Sequence, residues 1–323
     1  MIGYRERVEV RVNQDFKMGT GNLNTYRDIS RPANSSIISS SSAIQLTEQE
    51  FGLFRQLIYN KSGINLNPTK RNLLQTRLAK RLRQLKCESF SQYYRYVKND
   101  TTGEELIAML NAISTNLTKF FREEEHFNYL NNTVLPELIS GKHKNGARRL
   151  RTWSAGCSSG EEAYSLAITI LTHIETTLTW DLKILATDIS TDILKKASDG
   201  IYEEEKINVM PKNILSEFFL KGDGEYNDYY KVKPVLRNIV TFRRLNLIDE
   251  TYPFKGRFDF IFCRNVMIYF DKKTQEGIVN RFYNHLEEGG YLFIGHSESL
   301  SGVKSSFKYV MPAVYRKDEG IKI

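Results

Sequence analysis

A loop of glycines and small residues that ends in two carboxylates says most about the chemistry of this chain. The loop lies in residues 153–162 (WSAGCSSGEE), between a short apolar stretch and the apolar run 163–171. Strand, small-residue turn and helix form the first crossover of a doubly wound nucleotide-binding sheet, where ligands lie beyond the carboxyl ends of the strands. Glu161 and Glu162 place negative charge where a dinucleotide fold presents a helix N-terminus to a pyrophosphate, which argues for a cationic ligand. S-adenosylmethionine, with its sulfonium and amino group, fits this requirement.

Polar residues follow the predicted strands at the edge of the sheet where such a ligand would lie. Asp188 ends the strand 182–187 and is placed to accept hydrogen bonds from ribose hydroxyls. Asp is also a good helix N-cap, but the glycine loop upstream favours the ribose interpretation. Arg264-Asn265 follow a strand that is apolar except for Asp259, and we assign them to the site because a charged residue between apolar runs needs a partner. Asn246 also follows a strand, and for this residue alone a turn or cap is the better interpretation.

Two further clusters contain residues that could take part in chemistry. Residues 114–122 (STNLTKFFR) combine hydroxyls, an amide, paired aromatics and an arginine at a domain junction, which suits a lid over the site. Two core phenylalanines and a helix cap explain the same spacing about equally well. Residues 295–299 (GHSES) look like an acid-base cluster, but no nucleophile stands at catalytic spacing from His296 and no G-x-S-x-G elbow is present. We interpret this second cluster as structural.

Helical patterns dominate the chain before residue 114. Thr47-Glu48-Gln49-Glu50 has the form of a capping box, apolar residues recur after it at helical spacing, and Gly63 ends that helix. Three more helices are predicted, at 68–86, 90–97 and 104–113. Residues 44–113 are therefore predicted to form a small all-helical domain, and residues 114–125 the linker or cofactor lid that follows it.

Strand and helix patterns alternate from residue 126 onwards. Helices are predicted at 127–139, 163–171, 192–198 and 274–286, the last closed by Gly289-Gly290. Strands are predicted at 150–154, 182–187, 239–243, 258–263 and 291–295, with a terminal antiparallel hairpin at 307–316. Such alternation predicts an α/β fold, a doubly wound and mostly parallel sheet with helices on both faces. Gly-rich turns between short alternating runs predict a small antiparallel β insertion at 200–238, and so long an insertion is usually functional.

Composition limits the class of protein. The 323 residues include 41% hydrophobic and 26% charged residues, as in ordinary soluble globular proteins. No apolar run approaches the ~18 residues of a membrane span, and the N-terminus lacks the apolar segment of a secretory signal. Residues 1–43 are poor in core material and end in a serine-rich run, which predicts a disordered extension. Three dispersed cysteines without metal-ligand spacing fit a reducing cytoplasm and predict no metal site.

The formal net charge of +8 is concentrated on the predicted helix 68–86. Leucines form its buried stripe, and no acidic residue within the helix offsets its cations. The cations that we expect to bind a partner are Lys70, Arg71, Arg77, Lys80, Arg81 and Arg83. They could hold the phosphates of a nucleic acid or an acidic protein surface. A merely solvated face is the weaker interpretation because no acids compensate the charge.

Taken together, these motifs resemble those of the chemotaxis receptor glutamate methyltransferases, the CheR family. The segments that carry the resemblance are STNLTKFFRE (114–123), WSAGCSSGEEAYSLA (153–167), ATDIS (186–190), FDFIFCRNVMIYFD (258–271) and GGYLFIGHSESL (289–300). Their order and spacing extend over residues 46–317. The combination of T-N-x-T-x-F-F-R with C-R-N-V-M-I-Y-F is far more specific than a glycine loop alone. The first 45 residues lie outside the resemblance.

The resemblance implies a small helical domain followed, at 126–323, by a class I S-adenosylmethionine-dependent methyltransferase domain with a β-subdomain inserted at 200–238. It implies methyl transfer from S-adenosylmethionine to glutamate side chains of chemoreceptors, which gives γ-methyl esters for adaptation and S-adenosylhomocysteine. By motif position, the implied cofactor contacts are Asn116, Thr118, Arg122, Gly156, Glu162, Asp188, Asn246, Leu247, Arg264 and Asn265. Arg122 and Tyr269 match the positions that flank the transferring methyl group.

The resemblance also implies partners and a cellular location. The basic helix matches the one that meets the acidic methylation region of the receptor helices, and in some members the β-subdomain docks a receptor tail peptide. We therefore expect a cytoplasmic monomer that is recruited to membrane receptor arrays. We expect it not to be inserted in the membrane and to bind neither nucleic acid nor metal.

The expected chemistry agrees with the residues. A glutamate carboxylate, with a reference pKa of about 4.3, is already a nucleophile at neutral pH and needs no general base. Positioning in a site with little water then lowers the barrier. We expect Arg122 to orient the incoming carboxylate or the cofactor carboxylate, and Tyr269 to help align the methyl group.

Two other functions stay open at this point. A nucleic-acid methyltransferase would hold phosphates on the basic helix, and a scaffold would bind S-adenosylmethionine without catalysis. Against the first, the strand end at Arg264-Asn265 lacks the N-P-P-Y-type cradle that holds a flipped base. Against the second, all the implied site positions are present.

Overall fold

Four helices make up the N-terminal part of the computed structural model, which describes residues 44–144, 148–174 and 179–318. Their bounds are α1 Glu48–Ser62, α2 Arg71–Gln84, α3 Phe90–Asn99 and α4 Glu104–Ile113. They match the predicted helices, except that the first turn of the second one is a 3-10 helix, at Pro68–Lys70. The extension at 1–43, predicted to be disordered, lies outside the described residues.

Local sequence signals set both ends of α1. The Thr47 side chain accepts a hydrogen bond from the backbone N–H of Glu50, and the Glu50 carboxylate accepts one from the backbone N–H of Thr47. These two bonds confirm the capping box. Gly63 follows the helix in the left-handed conformation, with a φ of 72°. The helix therefore begins and ends where its own sequence indicates.

A continuous helical segment leads from the helical domain to the sheet. It consists of α5 Glu124–Tyr129, a π-helical turn at Leu130–Val134 and α6 Leu135–Lys144. The prediction started this helix three residues too late. The helix starts at Glu124 because Glu123 takes a left-handed φ of 56° and its carbonyl accepts from the backbone N–H of His126. We call the connection between α4 and α5, residues 114–123, the lid segment.

Ten strands and six further helices build the rest of the described chain. The strands are β1 Arg149–Ala155, β2 Asp181–Asp188, β3 Ile201–Glu203, β4 Phe219–Lys221, β5 Tyr229–Val232, β6 Val240–Arg244, β7 Phe258–Cys263, β8 Leu286–Ile294, β9 Lys308–Met311 and β10 Val314–Arg316. The helices are α7 Glu161–His173, α8 Thr191–Asp199, α9 Glu204–Ile207, α10 Lys212–Phe218, α11 Pro234–Arg237 and α12 Lys272–His285.

The central sheet has the order β6-β2-β1-β7-β8-β10-β9. β6, β2, β1, β7 and β8 run parallel, β10 is antiparallel to β8, and β9 is antiparallel to β10. This topology confirms the predicted α/β fold with a terminal hairpin. The carboxyl ends of β1, β2 and β7 meet at one edge, which is where a doubly wound sheet binds its ligand.

Both faces of the sheet are covered by helices. Leu166 of α7 packs with Phe260 of β7 in one hydrophobic cluster, and Phe282 of α12 packs with Ile261 of β7 in another. Successive residues of a strand point to opposite faces, so one strand contributes to both clusters. All of β7 is buried, as expected for a strand with helices on each side.

The predicted antiparallel insertion is confirmed. β5 pairs with β3 on one side and with β4 on the other, both antiparallel, in a separate three-stranded sheet. We call residues 200–238 the insertion. The rings of Tyr202 and Phe219 in the insertion contact the ring of Phe120 in the lid segment, with centroids 4.9 and 5.8 Å apart. The insertion therefore lies beside the cofactor edge of the sheet.

Gly289-Gly290 lie inside β8 and do not close the preceding helix, so that part of the prediction was wrong. The helix α12 passes directly into β8 at Leu286. A Cβ on Gly290 would lie 2.9 Å from the carbonyl oxygen of Glu287 in β8 itself and 3.0 Å from that of Asp259 on β7. Glycine is needed here because these two oxygens approach closely, at an irregularity in the β7–β8 register.

Two observations concern the expectations from composition. No helix in the described ranges has both the length and the apolar character that a membrane crossing requires. Cys87, Cys157 and Cys263 are all buried and free.

The helical domain contacts the sheet domain just beyond the ends of β6 and β7. The side-chain amide of Asn246 donates a hydrogen bond to the carbonyl of Lys61, at 2.8 Å. The backbone N–H of Asn65 donates to the carbonyl of Tyr269, also at 2.8 Å. The end of α1 is therefore joined to two loops that carry predicted site residues.

We expect Gly63→Ala to lower the free energy of unfolding by about 1–2 kcal/mol. Its φ is 72°, and an added Cβ would lie 2.4 Å from Cγ2 of Ile248. Gly52→Ala is the matched control. Gly52 lies inside α1, a Cβ there would meet no atom within 4 Å beyond the backbone of the helix itself, and alanine favours a helix. Urea unfolding should show the control to be as stable as the parent or up to about 1 kcal/mol more stable. Equal destabilisation by both substitutions would contradict the close approach at Gly63.

Candidate active site

The glycine loop between β1 and α7, residues 156–160, bends back onto the end of β2. The backbone N–H groups of Gly156 and Cys157 both donate to the carbonyl of Thr187, at 2.8 and 2.9 Å. Gly156 has a φ of 84°, and an added Cβ would lie 2.4 Å from Cγ2 of Val266, just after β7. Only glycine combines a left-handed φ with the absence of a Cβ, so the loop can lie close to both neighbouring strand ends.

Asp188 ends β2 beside the glycine loop and is 9% exposed. Its Oδ2 accepts from the backbone N–H of Ser158 at 3.0 Å, and its Oδ1 accepts from that of Ser190 at 2.9 Å. Burial raises the pKa of Asp188, and these backbone hydrogen bonds oppose the rise. The N-cap of α8 is Ser190, so the alternative interpretation of Asp188 as that cap is wrong. The carboxylate is held at the edge of the sheet that the ribose interpretation requires.

Arg264 follows β7 directly, and its side chain is only 2% exposed. Its Nε lies 3.2 Å from Oε2 of Glu162 and 3.7 Å from Oε2 of Glu123. Its Nη2 donates to the backbone carbonyl of Arg122, and its guanidinium lies 5.4 Å from the ring centroid of Phe127. A buried guanidinium requires such partners. We call Arg264, Glu162 and Glu123 the Arg264 cluster.

The two carboxylates that end the glycine loop have different surroundings. Glu162 is 9% exposed, and its Oε1 accepts from the hydroxyl of Ser154 at 2.7 Å. Burial raises the pKa of Glu162, while the positive charge of Arg264 opposes the rise. Glu161 is fully buried, and its Oε1 lies 3.1 Å from Nζ of Lys206 in the insertion. Both carboxylates therefore have a cationic partner within the protein, Glu161 from the insertion and Glu162 at the end of β7, which the sequence argument from paired carboxylates did not anticipate.

The lid segment is bonded to the glycine loop and to α7. The hydroxyl of Ser158 donates to the carbonyl of Asn116, and the backbone N–H of Phe121 donates to Oγ of Ser165, both at 3.0 Å. Within the segment, Nη1 of Arg122 donates to the carbonyl of Leu117 at 3.1 Å. The predicted contact residues of the segment, all partly exposed, are Asn116, Thr118 and Arg122.

Glu298 holds the turn after β7, a role within the cluster that we interpreted as structural. Its Oε2 accepts from the backbone N–H groups of Gly295 at 2.6 Å and Asn265 at 2.9 Å, and its Oε1 from that of Ile268 at 3.2 Å. Asn265 takes a left-handed φ of 59°, and its side-chain amide donates to Oε1 of Glu123 at 3.4 Å. Glu298 therefore fixes Asn265 beside the Arg264 cluster.

The remaining predicted site residues lie at the contact with the helical domain. Asn246 is bonded to Lys61, and the buried Leu247 has a carbonyl that accepts from the hydroxyl of Tyr252 at 2.7 Å. The Tyr269 side chain is partly exposed and makes no hydrogen bond with the described residues. Within that part of the chain, no hydrogen bond or ion pair joins Asn246, Leu247 or Tyr269 to the Arg264 cluster.

Comparison with known proteins decides the family. Residues 49–114 match the model of the CheR methyltransferase all-alpha domain, and residues 116–315 match that of the CheR methyltransferase SAM-binding domain. The chain belongs to the CheR methyltransferase family. It is 41% identical over 276 residues to a chemotaxis protein methyltransferase of Borreliella burgdorferi, with 85% of this chain and 96% of the relative covered. It is 38% identical over 280 residues to that of Salmonella typhimurium, with 86% and 93% covered.

This CheR methyltransferase has a site whose residues fit S-adenosylmethionine. The family's SAM-binding domain spans every predicted cofactor contact, from Asn116 to Asn265. Nη1 of Arg264 is buried and has no hydrogen-bond partner among the described residues, so it can donate to the carboxylate of the cofactor. Glu162 can accept from the amino group, and Asp188 from ribose hydroxyls. The individual contacts stay predictions.

The structure divides the six cations of the predicted basic helix into two groups. The three engaged inside the protein are Arg71 with Glu48, Arg77 with the carbonyl of Ser114, and Arg81 with the buried Glu105. The three that are exposed and form no ion pair with the described residues are Lys70, Lys80 and Arg83. The expectation that no acid compensates the helix was therefore wrong, because α1 and α4 supply acids from outside it.

Two histidines lie beside the Arg264 cluster. His126 is fully buried, its ring centroid is 4.5 Å from that of His296, and its Nδ1 is 3.4 Å from Oε2 of Glu123. In the described ranges, these three residues are the one group whose ligand atoms lie close enough together to hold a metal ion. The guanidinium of Arg264 is 3.7 Å from the same carboxylate oxygen, and its positive charge opposes a metal cation. We assign no metal to this group.

The pH dependence of stability should report the burial of His126. Burial lowers the pKa of His126 to about 3, and the charges of Arg264 and His296 act in the same direction. An unfolded histidine has a pKa of about 6.5, so protons bind the unfolded state preferentially and stability is lost as pH falls from about 6.5 towards 3. We expect the free energy of unfolding, measured in urea, to fall between pH 7 and pH 5 in both proteins. The fall should be smaller in His126→Phe than in the parent, by up to about 2 kcal/mol.

The comparison of the parent with His126→Phe also separates the contribution of this histidine to the pH dependence of stability from the contributions of its acidic neighbours. Burial raises the pKa of Glu162 and of Glu298, so their contribution to stability falls as pH rises, which is the opposite sign. Both carboxylates are present in the parent and in the variant. Parallel pH curves for the two proteins would show that His126 is not held neutral by its surroundings.

Proposed function

We propose that this protein transfers the methyl group of S-adenosylmethionine to glutamate side-chain carboxylates of chemoreceptors and forms γ-methyl esters. The observation that carries the proposal is the site in the family's SAM-binding domain, where Arg264, Glu162 and Asp188 lie at one edge of the sheet. The buried histidine beside them, His126, has its pKa lowered to about 3 and is a poor proton acceptor at neutral pH. The named relatives act in chemotaxis, which indicates receptors as the substrates.

An acceptor that is already ionised suits such a site. Amine and hydroxyl acceptors must lose a proton during methyl transfer, whereas a glutamate carboxylate has lost its proton at neutral pH. When bound, S-adenosylmethionine supplies an electrophilic methyl group that a carboxylate oxygen can accept directly. We propose that Arg122 orients the incoming carboxylate or that of the cofactor, and that Tyr269 aligns the methyl group.

The lid segment limits access of water to this chemistry. Phe120 is 1% exposed and packs against the insertion, and the ring centroid of Phe121 is 5.2 Å from that of Phe127 in α5. A carboxylate that loses part of its hydration becomes a better nucleophile towards a methyl group. The aromatic pair of the segment thus supports the reaction through packing.

The proposal includes partners and location. The exposed cations Lys70, Lys80 and Arg83 would meet the acidic methylation region of receptor helices. The insertion is the surface on which a receptor tail peptide would dock. We propose a cytoplasmic monomer that is recruited to receptor arrays in the membrane.

The first test is transfer of labelled methyl from S-adenosylmethionine to membranes that contain chemoreceptors. Label on receptor-sized bands that mild alkali releases is expected, because carboxyl methyl esters hydrolyse in alkali. Arg122→Ala and Tyr269→Phe should each lower transfer at saturating cofactor by about tenfold or more. Arg257→Ala, at an exposed ion pair, and Tyr309→Phe, at a 65% exposed tyrosine, are the matched controls and should leave transfer unchanged.

The outcomes of this assay separate the competing functions. Label that is stable to alkali would contradict the formation of a methyl ester and would favour N-methylation. Full activity of both site variants would remove Arg122 and Tyr269 from the mechanism. Cofactor binding without any transfer to several receptors would indicate a scaffold.

A charge-reversal variant tests the receptor surface. Replacing Lys70, Lys80 and Arg83 together by Glu should raise the KM for receptor at least about tenfold at low salt, since charge complementarity steers association. The KM for S-adenosylmethionine should not change. Arg95→Glu with Lys98→Glu on α3 is the control, because both residues are exposed cations on a neighbouring helix. An equal rise in KM for both variants would show that net charge alone, and not this surface, sets the affinity.

A further inference from the structure

The insertion is bonded directly to the glycine loop of the cofactor site. The hydroxyl of Tyr202, a residue only 3% exposed, donates to the carbonyl of Ser159 at 2.7 Å. The next residue, Gly160, has a φ of 95°, and an added Cβ would lie 2.9 Å from that same hydroxyl. The last glycine of the loop is required by its left-handed backbone, and the hydroxyl of Tyr202 lies directly against it.

A second bond joins the insertion to the first residue of α7. Nζ of Lys206 lies 3.1 Å from Oε1 of Glu161, which is fully buried, and the hydroxyl of Ser159 donates to Oε2 of Glu161 at 2.6 Å. The Lys206 side chain is 46% exposed, so the cation reaches the buried carboxylate from the surface. A buried carboxylate that loses its cation is strongly disfavoured, and the loop around it would have to rearrange.

The lid segment also contacts the insertion. The ring of Phe120 lies against those of Tyr202 and Phe219, with centroids 4.9 and 5.8 Å apart. Phe120 is 1% exposed, and these edge contacts cover it. Two parts of the predicted cofactor site, the glycine loop and the lid segment, therefore depend on the same inserted sheet for their position.

We propose that the insertion is part of the cofactor site, with Lys206 and Tyr202 as positioning residues that hold the glycine loop in the form that binds S-adenosylmethionine. This role is separate from any docking of a receptor peptide on the same insertion. The inference depends on cofactor binding by this domain and not on the identity of the methyl acceptor. Tyr202 contacts the glycine loop, and Lys206 contacts its neighbour Glu161. Their substitution should therefore change the affinity for the cofactor rather than the turnover rate at saturating cofactor.

Lys206→Met is the first test, with binding of S-adenosylmethionine measured by calorimetry on the full-length protein. The Kd should rise about tenfold, and the KM for cofactor should rise in parallel, while kcat stays within about twofold. Lys206→Arg, which keeps the charge, should restore most of the affinity. Lys221→Met is the matched control, because Lys221 lies in the same insertion and pairs with Glu204 rather than with the loop.

Tyr202→Phe is the second test, and it keeps the ring that packs on Phe120. Loss of the hydroxyl alone should raise the Kd for S-adenosylmethionine about three- to tenfold. Tyr230→Phe is its control, since that hydroxyl donates to Glu204 inside the insertion, at 3.2 Å. If Lys206→Met fails to fold, the Tyr202 pair decides the question.

Unchanged cofactor affinity in Tyr202→Phe and in a folded Lys206→Met would overturn the proposal. Equal losses in the variants and their controls would also overturn it, because the effect would then be a general weakening of the insertion. A fall in kcat without a change in Kd would contradict the proposal, because it would show that the two residues affect the catalytic rate and not cofactor binding. Calorimetry requires no receptor, so the Kd outcomes, unlike those in KM and kcat, are independent of whether chemoreceptor glutamates are the acceptors.

Discussion

A single buried guanidinium, that of Arg264, constrains how the cofactor edge of this protein is built. Its three partners come from two elements: Glu162 from α7, and Glu123 and the carbonyl of Arg122 from the lid segment. A guanidinium with 2% of its side chain exposed is stable only when such partners are all in position, because its desolvation is otherwise uncompensated. Strand, crossover helix and lid segment must therefore come together for any one of them to be stable, and the cofactor edge is completed by that assembly.

Elements with strong local signals could be predicted from the sequence, and those set by distant contacts could not. The apolar run 258–263 matches β7 residue for residue, and the capping box at Thr47 marks the start of α1. By contrast, the start of α5 depends on the left-handed turn at Glu123, whose side chain contacts Arg264 far along the chain. Gly290 is likewise explained by two carbonyl oxygens that approach it closely in the folded sheet, those of Glu287 and Asp259. Periodicity and caps are read locally, whereas close approaches exist only in the folded chain.

The same distinction applies to the site. The positions of Asp188 and Arg264 at the sheet edge could be predicted because one ends a strand and the other follows one, and strand ends meet at the ligand edge of a doubly wound sheet. The partner of Glu161 could not, since Lys206 is 45 residues away, and the bonds of Glu298 to Asn265 extend over 33 residues. The basic helix shows the converse error: its own sequence lacks acids, yet Glu105 of α4 neutralises one of its arginines. A count of charges within one helix therefore overestimates the number of cations that are available to bind a partner.

The charge balance of the Arg264 cluster suits the proposed transfer of a methyl group from a sulfonium to a carboxylate. Two carboxylates and one guanidinium leave one negative charge, which can compensate a cationic cofactor without creating a strong field that repels an anionic acceptor. In the proposed reaction a sulfonium cation and a carboxylate anion become two neutral groups, so charge is lost on the way to the transition state. A site that removes water from both reactants therefore penalises the ground state more than the transition state. The packing of Phe120 against the inserted sheet matters for this reason, because it gives the edge of the sheet an apolar wall beside the predicted cofactor site.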